Sequence, residues 1–453
     1  MRNTLLGCIR WGLAGTAVLA MGGFLMVSAS AADIESNAAK PADRAVTYAK
    51  DVAPIFQAKC EECHHQGTAA PMSLSTYQEA RPWARSIKER VVTRNMPPWH
   101  IDKTVGIRHF ANDRSLSDEQ IAIIAKWVDS GAPLGDQKDL PPAKQWSDDM
   151  GWQTAKILGE PNFVVKSADY AMPAHGQDVW WKPVSALPIT EERWVRAVKI
   201  RPGTPAGRKI MHHVRADLIV QDAPNQRGGN ESALMEWAIG KQNDVYREGA
   251  GKLLEPGAAI RWELHIHAIG EEVTDHAELG VWLYPKGEVP KHKTVLVGFQ
   301  AMPDRGVLDI PPNTIAETSN VTLLKSAARL ENFQPHMHLR GKAMLMEAIL
   351  PDGTVRTLSY VNNFNFNWMN NYIYTDDDAP VLPKGTLIRV TAWHDNTSAN
   401  KYNPDPNKWV GYGDRTVDEM AHAWVNVTNL SDEEYNEWAA KHKPAQTKAV
   451  AER

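Results

Sequence analysis

The sequence predicts a multidomain protein in which a small all-α unit precedes two antiparallel β-sandwich (jelly-roll-like) domains. Three observations carry this expectation. Residues 46–142 hold the helix signals, among them Ser117-Asp118-Glu119-Gln120 capping the run Ile121 to Val128. From Pro161 to about Glu433 the texture changes to short alternating apolar runs separated by Pro, Gly, Asn and Asp turns, the signature of antiparallel sandwiches. A Pro- and Gly-rich break near residues 285–315 divides these runs in two, and 453 residues leave room for two to four domains.

Composition narrows the function classes. Charged residues are 23% and hydrophobic ones 43%, ordinary for a globular protein. Residues 1–32 carry Arg2 and Arg10 and no acid, so their removal takes the formal charge from −4 to −6, which argues against nucleic acid as a partner. Seventeen Trp and 29 Pro favour strands and loops over a helical bundle.

Arg2 and Arg10, the apolar stretch Gly12 to Val27 and the small residues Ser28-Ala29-Ser30-Ala31-Ala32 read as a cleaved signal peptide over 1–32. The protein is therefore expected in the periplasm or secreted, with a retained N-terminal membrane anchor as the alternative. Cys8 precedes the apolar core instead of following it and is not read as a lipidation site. A flexible lead-in (33–45) follows. Only Cys60 and Cys63 remain after cleavage.

Those two stand in Cys60-Glu61-Glu62-Cys63-His64, the Cys-x-x-Cys-His sequence of covalent c-type haem attachment. Two thiols add to the porphyrin vinyl groups, and the adjacent histidine is carried beneath the iron. A helix over Ser86 to Arg94 stops at Asn95-Met96-Pro97-Pro98-Trp99, and a methionine at a Pro-rich break suits the sixth ligand. Met96 is preferred to Met72. With Gly131-Ala132-Pro133 ending the last helix, residues 46–142 have the layout of a class I cytochrome c domain, and Asn95 to Trp99 resembles cytochrome domains fused to other redox modules in bacteria.

A linker (143–160) leads to the strand region. The clearest runs are Trp194 to Ile200, His213 to Val220, Ile260 to His267, Ala277 to Leu283, Ala343 to Leu350, Leu387 to Trp393 and Ala423 to Thr428. They imply an N-terminal sandwich over 161–300, a C-terminal one over 301–432 and a polar tail (433–453).

Gln334-Pro335-His336-Met337-His338 heads one of these strands, and alternation places His336 and His338 on one face, where both imidazoles can reach one metal ion. A second such pair is His265 and His267. His212 and His213 are adjacent, so their joint ligation requires a bulge or strong twist. Met420 comes late, and His276, His394 and His422 read as ordinary, with His394 near enough to support a ligand.

The order His212-His213, His265/His267, His336/His338, Met420, with Gly341-Lys342 and Asp418-Glu419-Met420, resembles the type II copper monooxygenases, whose members include peptidylglycine α-hydroxylating monooxygenase and dopamine β-monooxygenase. The resemblance covers roughly residues 160–432, about three-fifths of the chain. It implies one copper in each sandwich, facing across a solvent-filled cleft. One copper would be held by His212, His213 and His267, with His265 as the alternate; the other, where dioxygen is activated, by His336, His338 and Met420. The donor chemistry agrees, since a thioether with two imidazoles favours Cu(I) and makes a poor zinc site.

Two departures matter. The family enzymes are rich in disulfides, whereas this chain has no cysteine to spare. Where the peptide-amidating enzyme anchors its substrate through an arginine and a tyrosine, this sequence has Gln334 and Trp424, which argues against a peptide carboxylate and for a less charged or aromatic small molecule. The expected activity is hydroxylation of a small organic substrate by O2, with electrons from an external donor such as another cytochrome or a quinone-linked protein passing through the haem on Cys60, Cys63, His64 and Met96. Two other readings stay open: a copper/haem dehydrogenase passing substrate electrons to a respiratory partner, and a non-catalytic haem carrier with a metal-binding sandwich.

Overall fold

In the computed structural model, residues 44–68, 70–146, 151–220, 233–303 and 307–442 are described. The expected signal peptide, nearly all of the lead-in, part of the linker and the end of the tail lie outside them. No helix of the described residues is long and apolar enough to cross a membrane.

The alternating runs form strands because each has one face to bury. In the first sandwich, Met211–Val220 and Ala258–Ile266 are the inner strands of a five-stranded sheet with Ala233–Ala238 at its edge. It packs through Val214, Leu234, Trp262 and Leu264 against Val195, Ile200 and Leu279 of the facing strands Arg193–Pro202 and Ala277–Leu283. In the second, a four-stranded sheet (Ile315–Leu323, Leu387–Asp395, Gly341–Ile349, Val355–Val361) packs against His292–Gln300 and His422–Leu430 through Met344, Met346, Ile388, Val390 and Val425.

One sheet runs through both halves. Ala250–Leu254 of the first pairs in parallel with His292–Gln300, which in turn ladders antiparallel to His422–Leu430 over seven residues. With this continuity, the described residues from Ala45 onward belong to one compact unit. The backbone hydrogen bonds between the halves join them edge to edge within this sheet.

The expected all-α class I cytochrome c domain is corrected by the structure. Strands account for 37% of residues and helices for 16%, and no separate all-α domain is present among the described residues. The described part of 46–142 contains short helices, among them Ala53–Lys59, Tyr77–Ala80, Ala84–Val92 and Asp118–Asp129, around a small core of Tyr48, Phe56, Ile124 and Trp127. The stretch between the last two leaves them for the second sandwich. Ile101 bridges Val361 and Phe110 bridges Tyr374, while Trp99, Ile101 and Phe110 join the sandwich core. Asp102 N donates to Tyr360 O (2.8 Å) and Ala111 N to Ile373 O (2.8 Å). The physical reason is burial: these three large apolar side chains find a larger core in the β-sheet than a few short helices can offer.

Candidate metal centre

The His212–His213 pair solves its facing problem by a bulge. His265 pairs with His213, but the next residue, Ile266, pairs with Met211, so His212 is the extra residue of the ladder. The bulge turns His212 toward the side its neighbour occupies. His212, His213 and His265 are all buried, with one nitrogen of each within 4.8 Å of the others. His265 Nδ1 lies 3.2 Å from His213 Nε2. The structure therefore brings His265, the alternate, into this triad. His267 is half-buried with its ring 6.5 Å from that of His212.

His336 and His338 do not share a strand. Asn332–His336 ends at the first histidine, and Gly341–Ile349 begins a strand of a different sheet. Glu419 causes the break: its carboxyl oxygens accept His338 N (2.9 Å) and Arg340 N (2.6 Å), diverting the two donors from a ladder. His338 Nδ1 lies 3.0 Å from Asp418 O, which leaves Nε2 facing inward. The rings of His336 and His338 are 5.5 Å apart. Met420 is buried and enters the same region from the segment leading into His422–Leu430, and its carbonyl is 3.1 Å from His394 Nε2.

The two groups are contiguous. The rings of His213 and His336 are 5.0 Å apart and perpendicular, so the halves touch where the family resemblance implies a solvent-filled cleft. Phe366 stacks on His212 (4.2 Å) and stands edge-on to His338 (6.1 Å), spanning both groups.

Burial favours the neutral form of His212, His213, His336 and His338. Burial pushes His212 down to about 3 and His338 to about 4, and it holds His213 and His336 well below the ordinary value. Both ring nitrogens of His212 and of His336, and Nε2 of His338, are buried without a hydrogen-bond partner. An orphaned buried polar atom is costly, at about 1–3 kcal/mol each, and neutral imidazole nitrogens turned to a common space are what a metal ion uses. Five buried, unpartnered nitrogens with no carboxylate among them fit copper and fit calcium or magnesium poorly.

Several contributors carry no sequence signal. Asp178 Oδ2 lies 3.1 Å from His265 Nε2, and Thr416 donates to the same oxygen. Trp180 stacks on His265 (4.9 Å). His422, read as ordinary, stacks on His336 at 4.6 Å. Burial pushes Glu419 up to about 8, against the two N–H groups and Arg340. Only proximity in space reveals Asp178, Thr416 and Trp180, whereas Glu419 stands in the Asp418-Glu419-Met420 stretch that the sequence singles out.

The Asp178–His265 contact predicts an acid-labile element. Its hydrogen bond to His265 holds Asp178 down at about 2. A depressed carboxyl contributes stability that is present above its unfolded value near 3.9 and is lost as the pH falls toward 2, here about 2 kcal/mol. Urea unfolding between pH 5 and pH 2 should show this loss in the wild type and a flatter profile in Asp178→Asn.

At the haem-type motif, neither Cys60 nor Cys63 is in a disulfide. Cys60 follows the helix Ala53–Lys59, and its carbonyl accepts Cys63 N (3.1 Å) and His64 N (3.0 Å), so the motif closes into one turn. His64 Nδ1 lies 3.1 Å from Met72 O, which orients the ring and leaves Nε2 available. Met96 is half-buried, and its N donates to Arg90 O (3.1 Å).

No family model matches the chain, and no curated protein matches it. Among solved structures, it is similar to the major capsid protein P2 from Bacteriophage PM2 at 11% identity, over 58% of this chain and 97% of that one, with a TM-score of 0.27. The VP2 subviral particle of infectious bursal disease virus follows at 10%, 62%, 74% and 0.18, and a putative alpha-L-fucosidase from Bacteroides ovatus at 8%, 68%, 43% and 0.17. TM-scores this low carry no argument about function.

Proposed function

We propose that the protein is an exported copper-dependent monooxygenase-like oxidoreductase that hydroxylates a small organic molecule with O2 and receives its electrons through a c-type haem on the same chain. The observation that carries this reading is the pair of buried histidine groups, with five unpartnered ring nitrogens, meeting between two sandwiches. His212, His213 and His265 would hold one copper, and His336, His338 and Met420 the other. Bound there, copper supplies the one-electron chemistry that lets O2 react with a C–H bond.

The protein's own part is to position and to exclude water. Glu419 and the Asp418 carbonyl fix His338, and Asp178 fixes His265, the outer contacts that orient ligating imidazoles. Phe366 covers His212 and offers an apolar ring to a substrate at the junction of the groups. In the haem region the His64 Nδ1 contact sets the ring for iron, and attachment to the same chain raises the donor's effective concentration. Export rests on the signal-like residues 1–32.

Metal analysis alongside haem quantification tests the reading. Copper per haem should be about two in the wild type and about one in His336→Ala. A copper content that the substitution leaves unchanged would sink it.

A further inference from the structure

Glu236 sits on the inner face of the first sandwich with 2% exposure, and Gln334, fully buried, faces it from the second. Gln334 Nε2 donates to Glu236 Oε2 at 2.5 Å. The other carboxyl oxygen, Glu236 Oε1, and the amide oxygen, Gln334 Oε1, are both buried without a hydrogen-bond donor. A single proton on Glu236 would supply the donor that this acid–amide pair lacks. Gln334 is two residues before His336 on the same strand, so its side chain lies on the face that carries His336 into the cluster.

The surroundings lead outward as well. Arg215 is the cross-strand neighbour of Glu236; it pairs with Asp217 (2.8 Å) and lies over the Trp424 ring at 5.6 Å. Lys241 pairs with Asp244 (3.1 Å), and both are buried beside the same strand. Lys252 donates to the carbonyls of Ala233 and Leu234, on the strand that carries Glu236. From the second sandwich the facing groups are the uncharged Gln334 and Trp424. Lys241 also lines a cavity of about 320 Å³ shared with Glu62, Asp113, Arg114, Gln242 and Asn371. Gln242 Nε2 donates to Glu62 Oε1 there (3.3 Å). Lys241 thus lines this cavity and is near enough to Glu236 for its charge to act on that carboxyl group.

Resting on the oxidoreductase reading above, we infer that Glu236, paired with Gln334, is the relay that delivers protons from this cavity to the histidine cluster. Hydroxylation needs them. O2, a C–H bond, two electrons and two protons give C–OH and water: the O–O bond breaks, one oxygen enters the C–H bond, and the other leaves with both protons. The electrons come from the external reduced donor through the haem. Burial pushes Glu236 up to about 7 against the pull of Lys241, a value at which an acid exchanges protons near neutral pH. Glu236 is here a positioning and proton-carrying residue, at a distance from the reacting atoms.

The test uses the full chain with haem and copper, reduced anaerobically and mixed with O2 in weak buffer containing a pH indicator. Without organic substrate, O2, two electrons and two protons give hydrogen peroxide, so proton uptake is read directly. Wild-type uptake should show an inflection near pH 7. Glu236→Gln, which preserves volume and one hydrogen bond, should slow it by about tenfold or more and remove the inflection, with copper and haem contents unchanged. Infrared spectra of the metal-free protein at pH 6 should show a carboxylic acid carbonyl band that Glu236→Gln removes. Gln334→Leu should keep the band and still slow uptake. Unchanged uptake in both variants, or a band that survives Glu236→Gln, overturns the relay. Wild-type protein that takes up no copper overturns the functional reading instead, and the infrared band still decides whether Glu236 is held as a neutral acid.

Discussion

Glu419→Ala is expected to destabilise the protein by about 3–5 kcal/mol, comparable with the whole stability of many domains. One fully buried carboxyl group accepts both His338 N and Arg340 N. Removing it orphans two buried N–H groups, each at a cost of about 1–3 kcal/mol. It also removes the nearest acid from Arg340, which is 2% exposed and whose remaining partners, Asn396 Oδ1 (2.9 Å) and Val417 O (3.0 Å), are neutral. Glu419→Gln keeps one acceptor oxygen and should lose about half as much. Denaturant unfolding followed by tryptophan fluorescence measures both, and a loss under about 1 kcal/mol for the alanine variant would show that other contacts shape this turn. The same substitution releases the backbone that presents His338, so copper affinity at the His336/His338 group should fall with stability.

Cys60→Ala together with Cys63→Ala should abolish covalent haem completely while leaving the β-sheet intact. The two thiols lie in one closed turn, His64 is oriented by the Met72 carbonyl, and Trp146 braces the motif by donating to Glu61 (3.2 Å) and stacking on His65 (5.1 Å). None of these residues belongs to either sandwich core. Copper content should therefore stay at the wild-type level, while reduction of the copper by an external cytochrome should fall to the background rate. Absorption spectra after acid–acetone extraction report covalent haem, and stopped-flow mixing with the reduced donor reports the second effect. Haem that still resists extraction in the double variant would refute attachment at these cysteines.

Strand positions were legible because alternation is a local property. Ala277–Leu283 matches the expected run, and Leu387–Asp395 and His422–Leu430 differ from theirs by two residues or fewer at each end. The Ser117–Gln120 cap was legible for the same reason, and the capping box is present. The separate all-α domain was misread because Trp99, Ile101 and Phe110 carry no local sign of which core they will join. The choice of His265 over His267 was not legible either, since it depends on a one-residue register shift against a strand some fifty residues earlier.

By itself the sequence determined which residue types can do chemistry here: two thiols and a histidine in one turn, and a set of imidazoles with a late methionine. It also determined most of the strands that carry them, because side-chain chemistry and period-two burial are written residue by residue. Only the tertiary structure decided that the two histidine groups touch, that Glu419 bends the chain between His336 and His338, and that Glu236 meets Gln334 between the sandwiches. Those outcomes depend on registers and sheet packing between segments up to about a hundred residues apart, where the stabilisation comes from burying both partners at once and no single stretch of chain carries the signal.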